Sequence, residues 1–259
     1  MRSPAAESKA VLFVAGGVRL ALRLSQVREI VAVKEHLPEL SSRGDSVPAL
    51  PVAVALNLPA SPNRFALVIE CSPVVALGVE AVHGIVDLAD AEVFQLPART
   101  LLPQPAPFCG AIVANDVVAL ELVVSALGWA PLEPAGELPG PPPGVDFPTG
   151  RELLFSRAGR TYGVPIEILD RVCDAPRIFP VPLTPTAHRG LLYLGRAVHP
   201  VFDLALLHGD VAAPGPVTAL LLEAGGEAIA VLADRILPAG DGAVTDVTRP
   251  SWDAMFAAP

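Results

Sequence analysis

The residues that could carry chemistry are scattered along this sequence. The histidines show no close ligand spacing and the cysteines form no C-x-x-C pair. Zinc centres and redox pairs normally need such spacing, so we predict no metal, no cofactor and no disulfide framework, and we expect buried reduced thiols. The residues concerned are His36, His83, His188, His199, His208, Cys71, Cys109 and Cys173.

Patterns typical of catalysis are also missing from the sequence. Asp87, Asp90 and Glu92 fall in a predicted loop, where solvated charge explains them better than a paired acid and base. The sequence holds neither a G-x-S-x-G elbow nor a phosphate-binding G-x-x-x-x-G-K-[ST] loop. We therefore predict a non-enzymatic protein. The enzyme alternative would require an acidic residue or a histidine at the base of a deep polar pocket.

The composition indicates a β-rich soluble chain. Hydrophobic residues make up 52% of the 259 residues, but they occur in strand-sized runs broken by proline, and residues 47–63 alone contain four prolines, which would interrupt a spanning helix. The net charge is −9 and Lys9 and Lys34 are the only lysines, which disfavours nucleic acid and anionic membranes as partners. With no secretory signal recognised, we expect a cytoplasmic protein without direct membrane insertion.

An internal repeat organises the sequence. A shift of 142 brings Leu12, Phe13 and Gly17 onto identical residues and aligns 20–30 with 162–172. Each copy is predicted to begin with two strands joined by a turn at glycine. Two further anchors, Val47-Pro48-Ala49 and Val79-Glu80-Ala81-Val82, recur at shifts of 152 and 154. Three anchors in the same order indicate duplicated domains.

The repeat predicts a division of the chain. We expect a tail over 1–8, a first domain over 9–129, a proline-rich spacer over 130–149 and a second domain over 150–259. The second copy has about ten extra residues, which we assign to a strand at 191–194 without a counterpart in the first copy. It also has fewer residues after its last anchor, so we predict that its closing hairpin is missing and that an edge is left to be covered.

These motifs resemble those of the CheW-like domain of bacterial chemosensory systems. The resemblance rests on a Y-A-[IL]-P-like strand followed by V-x-E-[IV], on R-G-x-x-x-P-V-x-D-L, and on G-x-x-V-D-x-V-x-G-V, each found once per copy. In this chain they correspond to residues 20–30 and 162–172, 43–52 and 195–204, and 78–86 and 232–238.

The resemblance implies an all-β fold with two tandem modules, each built of two small SH3-like barrels, the second truncated at its C-terminus. It also implies a non-enzymatic adaptor that meets the regulatory domain of a CheA-type histidine kinase and the cytoplasmic hairpin tip of a chemoreceptor, with other CheW-like domains as further partners, recruited to membrane-associated or polar arrays. A diverged, stand-alone β-barrel assembly or polarity factor outside such arrays is the alternative.

Candidate protein-binding residues follow from the same motifs. The acid of V-x-E-I is present in the first copy, where it could pair with the arginine of the R-G turn, and the second copy has arginine in place of that acid. Only the second copy keeps the acid of P-V-x-D-L, since the first has Pro51 there. The candidates are Glu29, Arg43, Gly44, Pro48, Glu80, Asp170, Arg171 and Asp203.

Overall fold

The chain forms two units that are described separately. A computed structural model describes residues 8–33, 39–42, 44–144, 152–211, 217–238 and 246–256. The first unit comprises Met1–Leu96, Leu102–Ala135 and Val181–Leu183, and the second comprises Pro97–Leu101, Gly136–Pro180 and Thr184–Pro259. The domain boundaries predicted above stay a prediction. No helix among the described residues is long and apolar enough to span a bilayer.

The described residues of the first unit form two sheets: the chain begins in one, crosses to the other for five strands and then returns to the first. Sheet A has the order β8-β1-β2-β11-β10-β9 and sheet B the order β3-β6-β7-β5-β4. A short helix, α1 (Val52–Ala55), follows β5. The strands are β1 (Lys9–Ala15), β2 (Val18–Arg23), β3 (Val27–Ala32), β4 (Glu39–Ser42), β5 (Asp45–Pro51), β6 (Phe65–Ile69), β7 (Val75–Val79), β8 (Ala81–Asp87), β9 (Glu92–Gln95), β10 (Phe108–Ala114) and β11 (Val117–Leu122).

The second unit also has two sheets. Sheet C has the order β20-β12-β13-β21 and sheet D the order β14-β18-β19-β17-β16-β15. The helices are α2 (Leu204–Leu207) and α3 (Trp252–Phe256). The strands are β12 (Glu152–Arg157), β13 (Arg160–Pro165), β14 (Leu169–Asp174), β15 (Ile178–Phe179), β16 (His188–Leu194), β17 (Ala197–Phe202), β18 (Thr218–Ala224), β19 (Glu227–Ala233), β20 (Arg235–Leu237) and β21 (Val247–Thr248).

The strand orders of the two units correspond. β8-β1-β2-β11 in sheet A matches β20-β12-β13-β21 in sheet C, and β3-β6-β7-β5-β4 in sheet B matches β14-β18-β19-β17-β16 in sheet D. The parallel pairings recur as well, since β11 pairs with β2 as β21 pairs with β13. The prediction of an all-β fold is confirmed.

The glycine turn predicted in each copy joins the first two strands. Gly16 and Gly17 both have positive φ, at 55° and 79°, between β1 and β2. In the second unit Gly159 has φ 80° between β12 and β13. Backbone in this region favours glycine, so the shared residue marks the hairpin and fixes its register.

The strand thought to lack a counterpart in the first copy has one. Residues 191–194 belong to β16, whose last residue pairs with Ala197. In the first unit β4 pairs with β5 in the same way, with Ser42 opposite Asp45. The prediction was wrong because 34–46 is polar and turn-rich, and a four-residue edge strand leaves little apolar alternation to detect.

The closing part of the second unit also differs from the prediction. Among the described residues, sheet C has no strands matching β9 and β10, but β21 takes the place that β11 has in the first unit. Helix α3 follows, and its Trp252 and Met255 join the core of the unit. The chain's own residues 247–256 therefore cover the free side of β13.

Part of the proline-rich segment packs on the second unit. The Glu137 carboxylate accepts a hydrogen bond from the Thr186 hydroxyl at 2.6 Å, and Leu138 packs against the core. Pro143 forms an antiparallel bridge with Pro250. These contacts show that 137–144 is not a free spacer, whereas 145–149 lies outside the described residues.

A buried charge cluster connects the sheets of the second unit. The Arg157 guanidinium is 3% exposed and donates to both carboxylate oxygens of Asp203, at 3.0 and 2.5 Å, and to Asp234 at 2.5 Å. Asp203 is fully buried and also accepts a hydrogen bond from the Ala205 amide, which caps α2. The hydrogen bonds that Arg157 donates, chiefly to Asp203 and then to Asp234, raise the pKa of its guanidinium above the ordinary arginine value.

The first unit has no charged residues at the positions that correspond to Arg157 and Asp203. A shift of 142 puts Ala15 at the position of Arg157, and a shift of 152 puts Pro51 at that of Asp203. Ala15 is buried at the end of β1 and Pro51 precedes α1. Both partners have thus been exchanged together, as expected when an unpaired buried charge costs more than an apolar replacement.

The pair predicts an asymmetric response to substitution. Asp203→Asn keeps the side-chain oxygen that caps α2 but leaves the buried guanidinium with only Asp234, so the second unit should lose about 3–5 kcal/mol of unfolding free energy. Arg157→Met/Asp203→Asn removes the buried charge and should be more stable than the single Asn variant. Urea unfolding followed through Trp252 emission in a Trp129→Phe background measures both. A single-variant loss below about 1 kcal/mol would contradict the buried pair.

A buried histidine makes the second unit sensitive to acid. His188 lies in β16, edge-on to the Phe202 ring at 5.2 Å, and its Nδ1 accepts a hydrogen bond from the Gly190 amide. Burial lowers the pKa of His188 to about 4. The folded state therefore holds His188 neutral while the unfolded chain protonates below about pH 6.5.

The depressed pKa predicts a loss of stability as the pH falls. Between about pH 6.5 and 4, His188 is protonated in the unfolded chain but not in the folded state. The free energy of unfolding therefore falls by about 3 kcal/mol as the pH decreases through this range, and His188 contributes no further change below it. His188→Asn keeps an acceptor for the Gly190 amide and should remove this component of the slope. The urea midpoints of wild type and His188→Asn at pH 7, 5.5 and 4.5 measure this difference. An equal decrease of the midpoint with pH in both proteins would contradict the role of His188.

Candidate functional site

The position of the site in the first unit is set by β11, which together with β21 of the second unit we call the closing strand. β11 lies parallel to β2, with Leu120 opposite Leu20. The Arg23 guanidinium fastens the two strands by donating to both oxygens of Glu121, at 2.5 and 3.1 Å. The hydrogen bond to Glu121 raises the pKa of Arg23. A bidentate pair of this kind fixes direction as well as distance.

The second unit fastens its closing strand with the charges reversed. Arg249, directly after β21, donates to both oxygens of Glu152 at 3.0 and 2.7 Å. In the pairing register, Arg249 stands where Glu121 stands in the first unit, and Glu152 stands where Ala10 stands. Each unit therefore has a bidentate ion pair at its closing strand, which we call the clamp. The acid is on the closing strand in the first unit, and the base follows the closing strand in the second.

Beyond this clamp, the first unit opens into an apolar groove. The cavity has a volume of about 560 Å³ and lies between the ends of sheet B strands and the segment that follows β11. Trp129 lies along it and is 63% exposed, although a tryptophan side chain is normally well covered. Its apolar walls are formed by Pro48, Leu50, Ile69, Val75, Leu122, Val123, Val124 and Leu127.

Polar residues also line the groove, and the uncharged ones with oxygen or nitrogen in the side chain are Gln26, Ser72 and Ser125. Glu70 is exposed there, whereas Glu121 is buried and held by Arg23. Cys71 and Cys109 also line the groove. Partial desolvation of the Cys109 sulfur, together with the nearby Glu121 charge, raises the pKa of this thiol although the residue as a whole is exposed, and keeps it protonated. The groove thus offers apolar surface with one free carboxylate at its edge.

The cysteines are less covered than the sequence led us to expect. Cys71 and Cys109 are exposed free thiols and Cys173 is half-buried. The prediction of buried thiols was wrong for Cys71, which lies in the loop after β6, and for Cys109, which is exposed on β10, whereas Cys173 on β14 packs partly buried against a core cluster.

The predicted residues of the first unit are only partly brought together. The Glu29 carboxylate accepts a hydrogen bond from the Ser42 hydroxyl, and Gly44 occupies the β4–β5 turn with φ 91°. Arg43 lies outside the described residues, so its pairing with Glu29 stays a prediction. Glu80 accepts a 3.4 Å hydrogen bond from the Gly17 amide, which holds the β1–β2 turn. Among the predicted residues that the structure describes, only Pro48 lines the groove.

Three predicted residues belong to the second unit. Asp170 and Arg171 are exposed on β14 and lie 3.9 Å apart, an arrangement of little energetic value by itself. Asp203 is fully buried against Arg157, so its assignment to a partner-binding surface is wrong. Its carboxylate serves the core and the start of α2, and no partner can reach it in this fold.

The groove itself was missed in the sequence. The sequence places residues 122–129 at the end of the first domain, and their role depends on how β11 is placed against sheet B. The available signal was Trp129, a large aromatic residue at the edge of a proline-rich segment. Within the described residues, no cluster of three or more histidine, cysteine or acidic side chains could hold a metal ion.

Comparison with known proteins identifies the second unit. Residues 152–250 match the family model of the CheW-like domain, so this part of the chain is a CheW-like domain. The scaffolding protein TtCheW from Thermoanaerobacter tengcongensis is similar in its crystal structure, with 22% sequence identity and a TM-score of 0.31 over 38% of this chain and 75% of that one. No curated protein matches the sequence.

The family match also indicates the kind of protein. CheW proteins are non-enzymatic scaffolds of chemotaxis signalling, whose domains couple in general to chemoreceptors and to CheA. The matched residues make up less than half of the chain. The matched residues begin at β12 and end just after β21, so they include the reversed clamp of the second unit.

Proposed function

We propose that both units are CheW-like modules and that the chain couples chemoreceptor hairpin tips to the regulatory domain of a CheA-type kinase. The match to the second unit supports this directly. The first unit repeats the strand order of both matched sheets and the parallel closing strand, which supports common descent for the two units. Such an adaptor would act in the cytoplasm, at receptor arrays.

The observation that carries the proposal is the open groove of the first unit. The groove lies between sheets A and B, its walls are mainly apolar, and the exposed Trp129 side chain lies beside it. Helix-in-groove recognition uses this kind of surface, with apolar side chains on one face of the helix as anchors. A receptor hairpin tip is helical, so the groove is the proposed receptor site.

The outer edge strands of sheets B and D are the proposed contacts for the kinase and for one further partner. β3 and β14 lie at the outer ends of sheets B and D, and each exposes an apolar side chain, Ile30 at 38% and Val172 at 41%. At the preceding position the first unit has Glu29 and the second has Arg171. Equal apolar contact with opposite charge favours different partners for the two edges, because rim charge selects partners more than it adds affinity.

Two modules on one chain give the adaptor a further property. If both bind within one array, the second binding event takes place at the effective concentration set by the connection between the units. The chain would then cross-link neighbouring complexes, including those that contain other CheW-like domains.

A second candidate is an assembly or polarity factor outside receptor arrays. Two observations favour it: the family model matches only the second unit, and sheet C has no described counterparts of β9 and β10. Partners captured outside the chemosensory machinery, together with no binding to a receptor tip or to a kinase regulatory domain, would select this candidate.

Truncation of the exposed tryptophan tests the receptor site. Trp129→Ala should weaken binding of a receptor hairpin tip at least tenfold, because large aromatic side chains dominate such interfaces, and the free protein should keep its stability because Trp129 is 63% exposed. Val93→Ala is the matched control, since Val93 is also exposed, at 46%, in the same unit but outside the groove.

Isothermal titration calorimetry with the hairpin tip, and separately with the kinase regulatory domain, measures the effect. Tip affinity that is lost in Trp129→Ala and kept in Val93→Ala supports the proposal. Wild-type protein that binds neither partner, or a Trp129→Ala variant that binds the tip as tightly as wild type does, would contradict it.

A further inference from the structure

The two units do not follow the order of the sequence. The polypeptide passes from one unit to the other five times, after residues 96, 101, 135, 180 and 183. Two autonomous domains joined by a linker need a single passage, because few contacts cross a domain boundary. The passage after residue 135 has that role here. The other four belong to two short crossing segments, 97–101 and 181–183, each of which lies in the unit formed mainly by the other copy.

The first crossing segment connects two strands of the first unit. Pro97–Leu101 lies between β9 and β10, which pair with each other in sheet A. Its middle residues form one 3₁₀ turn, closed by a 2.8 Å hydrogen bond from the Thr100 amide to the Pro97 carbonyl, and Leu101 follows with φ 55°. Left-handed backbone is uncommon for leucine, so contacts outside the turn must hold this conformation.

Those contacts belong to the second unit. The 3₁₀ turn contacts β16, and Thr100 is 1% exposed. Leu101 packs against the core cluster of the second unit that includes Phe202. Burial lowers the pKa of Arg99, and the Glu227 carboxylate at the start of β19 partly offsets this effect. Three consecutive residues of the first copy therefore take part in the second unit.

The second crossing segment makes the opposite exchange. Val181–Leu183 lies between β15 and β16 in the chain but belongs to the first unit. All three residues are buried, and Val181 and Leu183 are each 7% exposed. The Leu183 carbonyl accepts a 2.7 Å hydrogen bond from the Ala135 amide, which also belongs to the first unit. This segment of the second copy thus supplies apolar burial and a backbone hydrogen bond to the first unit.

The described part of the second copy has no segment equivalent to 97–101. Sheet C has no counterparts of β9 and β10 among the described residues, and therefore no counterpart of the connection between them. The connection in the first copy is held at both ends by paired strands, so its docking costs less conformational entropy than that of a free peptide. Most of the free energy gained by burying Leu101 therefore stabilises the second unit.

We infer that residues 97–101 complete the core of the second unit and that residues 181–183 complete the core of the first, so that neither unit is an autonomous domain. Each unit then needs a segment of the other copy for its full stability. Residues 152–250, which match the CheW-like domain, would lack one of these segments if they were separated from the chain. The inference goes beyond the proposed function, since it holds whichever partners the chain binds.

Adjacent leucines provide a matched test of the first crossing segment in the full chain. Leu101 belongs to the second unit and Leu102 to the first, and both are half-buried. Leu101→Asp places a charge against the core of the second unit and should speed hydrogen exchange in β18 and β19 at least about tenfold, and by more than in the corresponding strands β6 and β7. Leu102→Asp should leave β18 and β19 at their wild-type rates.

Wild-type exchange of β18 and β19 in Leu101→Asp, or equal acceleration of these strands in Leu101→Asp and Leu102→Asp, would overturn the inference for the second unit. The reciprocal variant is Leu183→Asp, which changes a residue of the second copy. It should speed exchange in β6 and β7 more than in β18 and β19, because Leu183 is buried in the first unit. The reverse order would overturn the inference for the first unit.

A variant with the opposite sign keeps the test decisive if Leu101→Asp does not fold. The Thr100 hydroxyl is buried and has no hydrogen-bond partner among the described residues. Valine has the same shape without the hydroxyl, so Thr100→Val removes a buried unpaired group and should slow exchange in β18 and β19 by about fivefold, with β6 and β7 changed less. Exchange in β18 and β19 that stays at the wild-type rate in Thr100→Val would show that Thr100 is not docked in the second unit and would overturn the inference.

Discussion

The parallel closing strand is the constraint on which both units depend. It pairs in parallel with β2 or β13, and the segment that follows it lies near strands of the second sheet of the same unit. A bidentate ion pair holds it in both units, with arginine on β2 and glutamate on the closing strand in one, and glutamate on β12 and arginine after the closing strand in the other. Because the pair fixes the strand, it also fixes where the residues after it lie. Val124 and Leu127 line the groove of the first unit, and Trp252 and Met255 join the core of the second.

Residues at equivalent positions also differ in the cores of the two units. Arg157, Asp203 and Asp234 form a buried cluster in the second unit, while Ala15 and Pro51 stand at the corresponding places of the first two residues. A buried ion pair and an apolar contact of similar size can be nearly equal in free energy, but half a pair cannot. The duplicated fold has therefore kept strand order and register while the chemistry at equivalent positions has diverged. Divergence of this kind gives one chain two modules with different surfaces, which suits an adaptor that joins unlike partners.

The sequence predicted what depends on local pattern. Alternating apolar residues around a glycine turn predicted the β1–β2 and β12–β13 hairpins, and the shared order of anchors predicted the duplication. It failed where tertiary contacts decide. β4 is a short, polar edge strand that only its pairing with β5 defines. Asp203 looked like a surface acid because its partner, Arg157, is 46 residues away in the chain. The groove depends on how β11 is placed against sheet B, which no local pattern predicts.

Hydrogen exchange of the intact chain, with and without a saturating receptor hairpin tip, tests the central claim most directly. The account predicts slower exchange in residues 69–75 and 122–129, which line the groove, and unchanged exchange in 246–256, where α3 belongs to the core of the second unit. Slower exchange confined to 246–256, or faster exchange there as α3 is displaced, would show that the second unit is the docking module and would contradict the account.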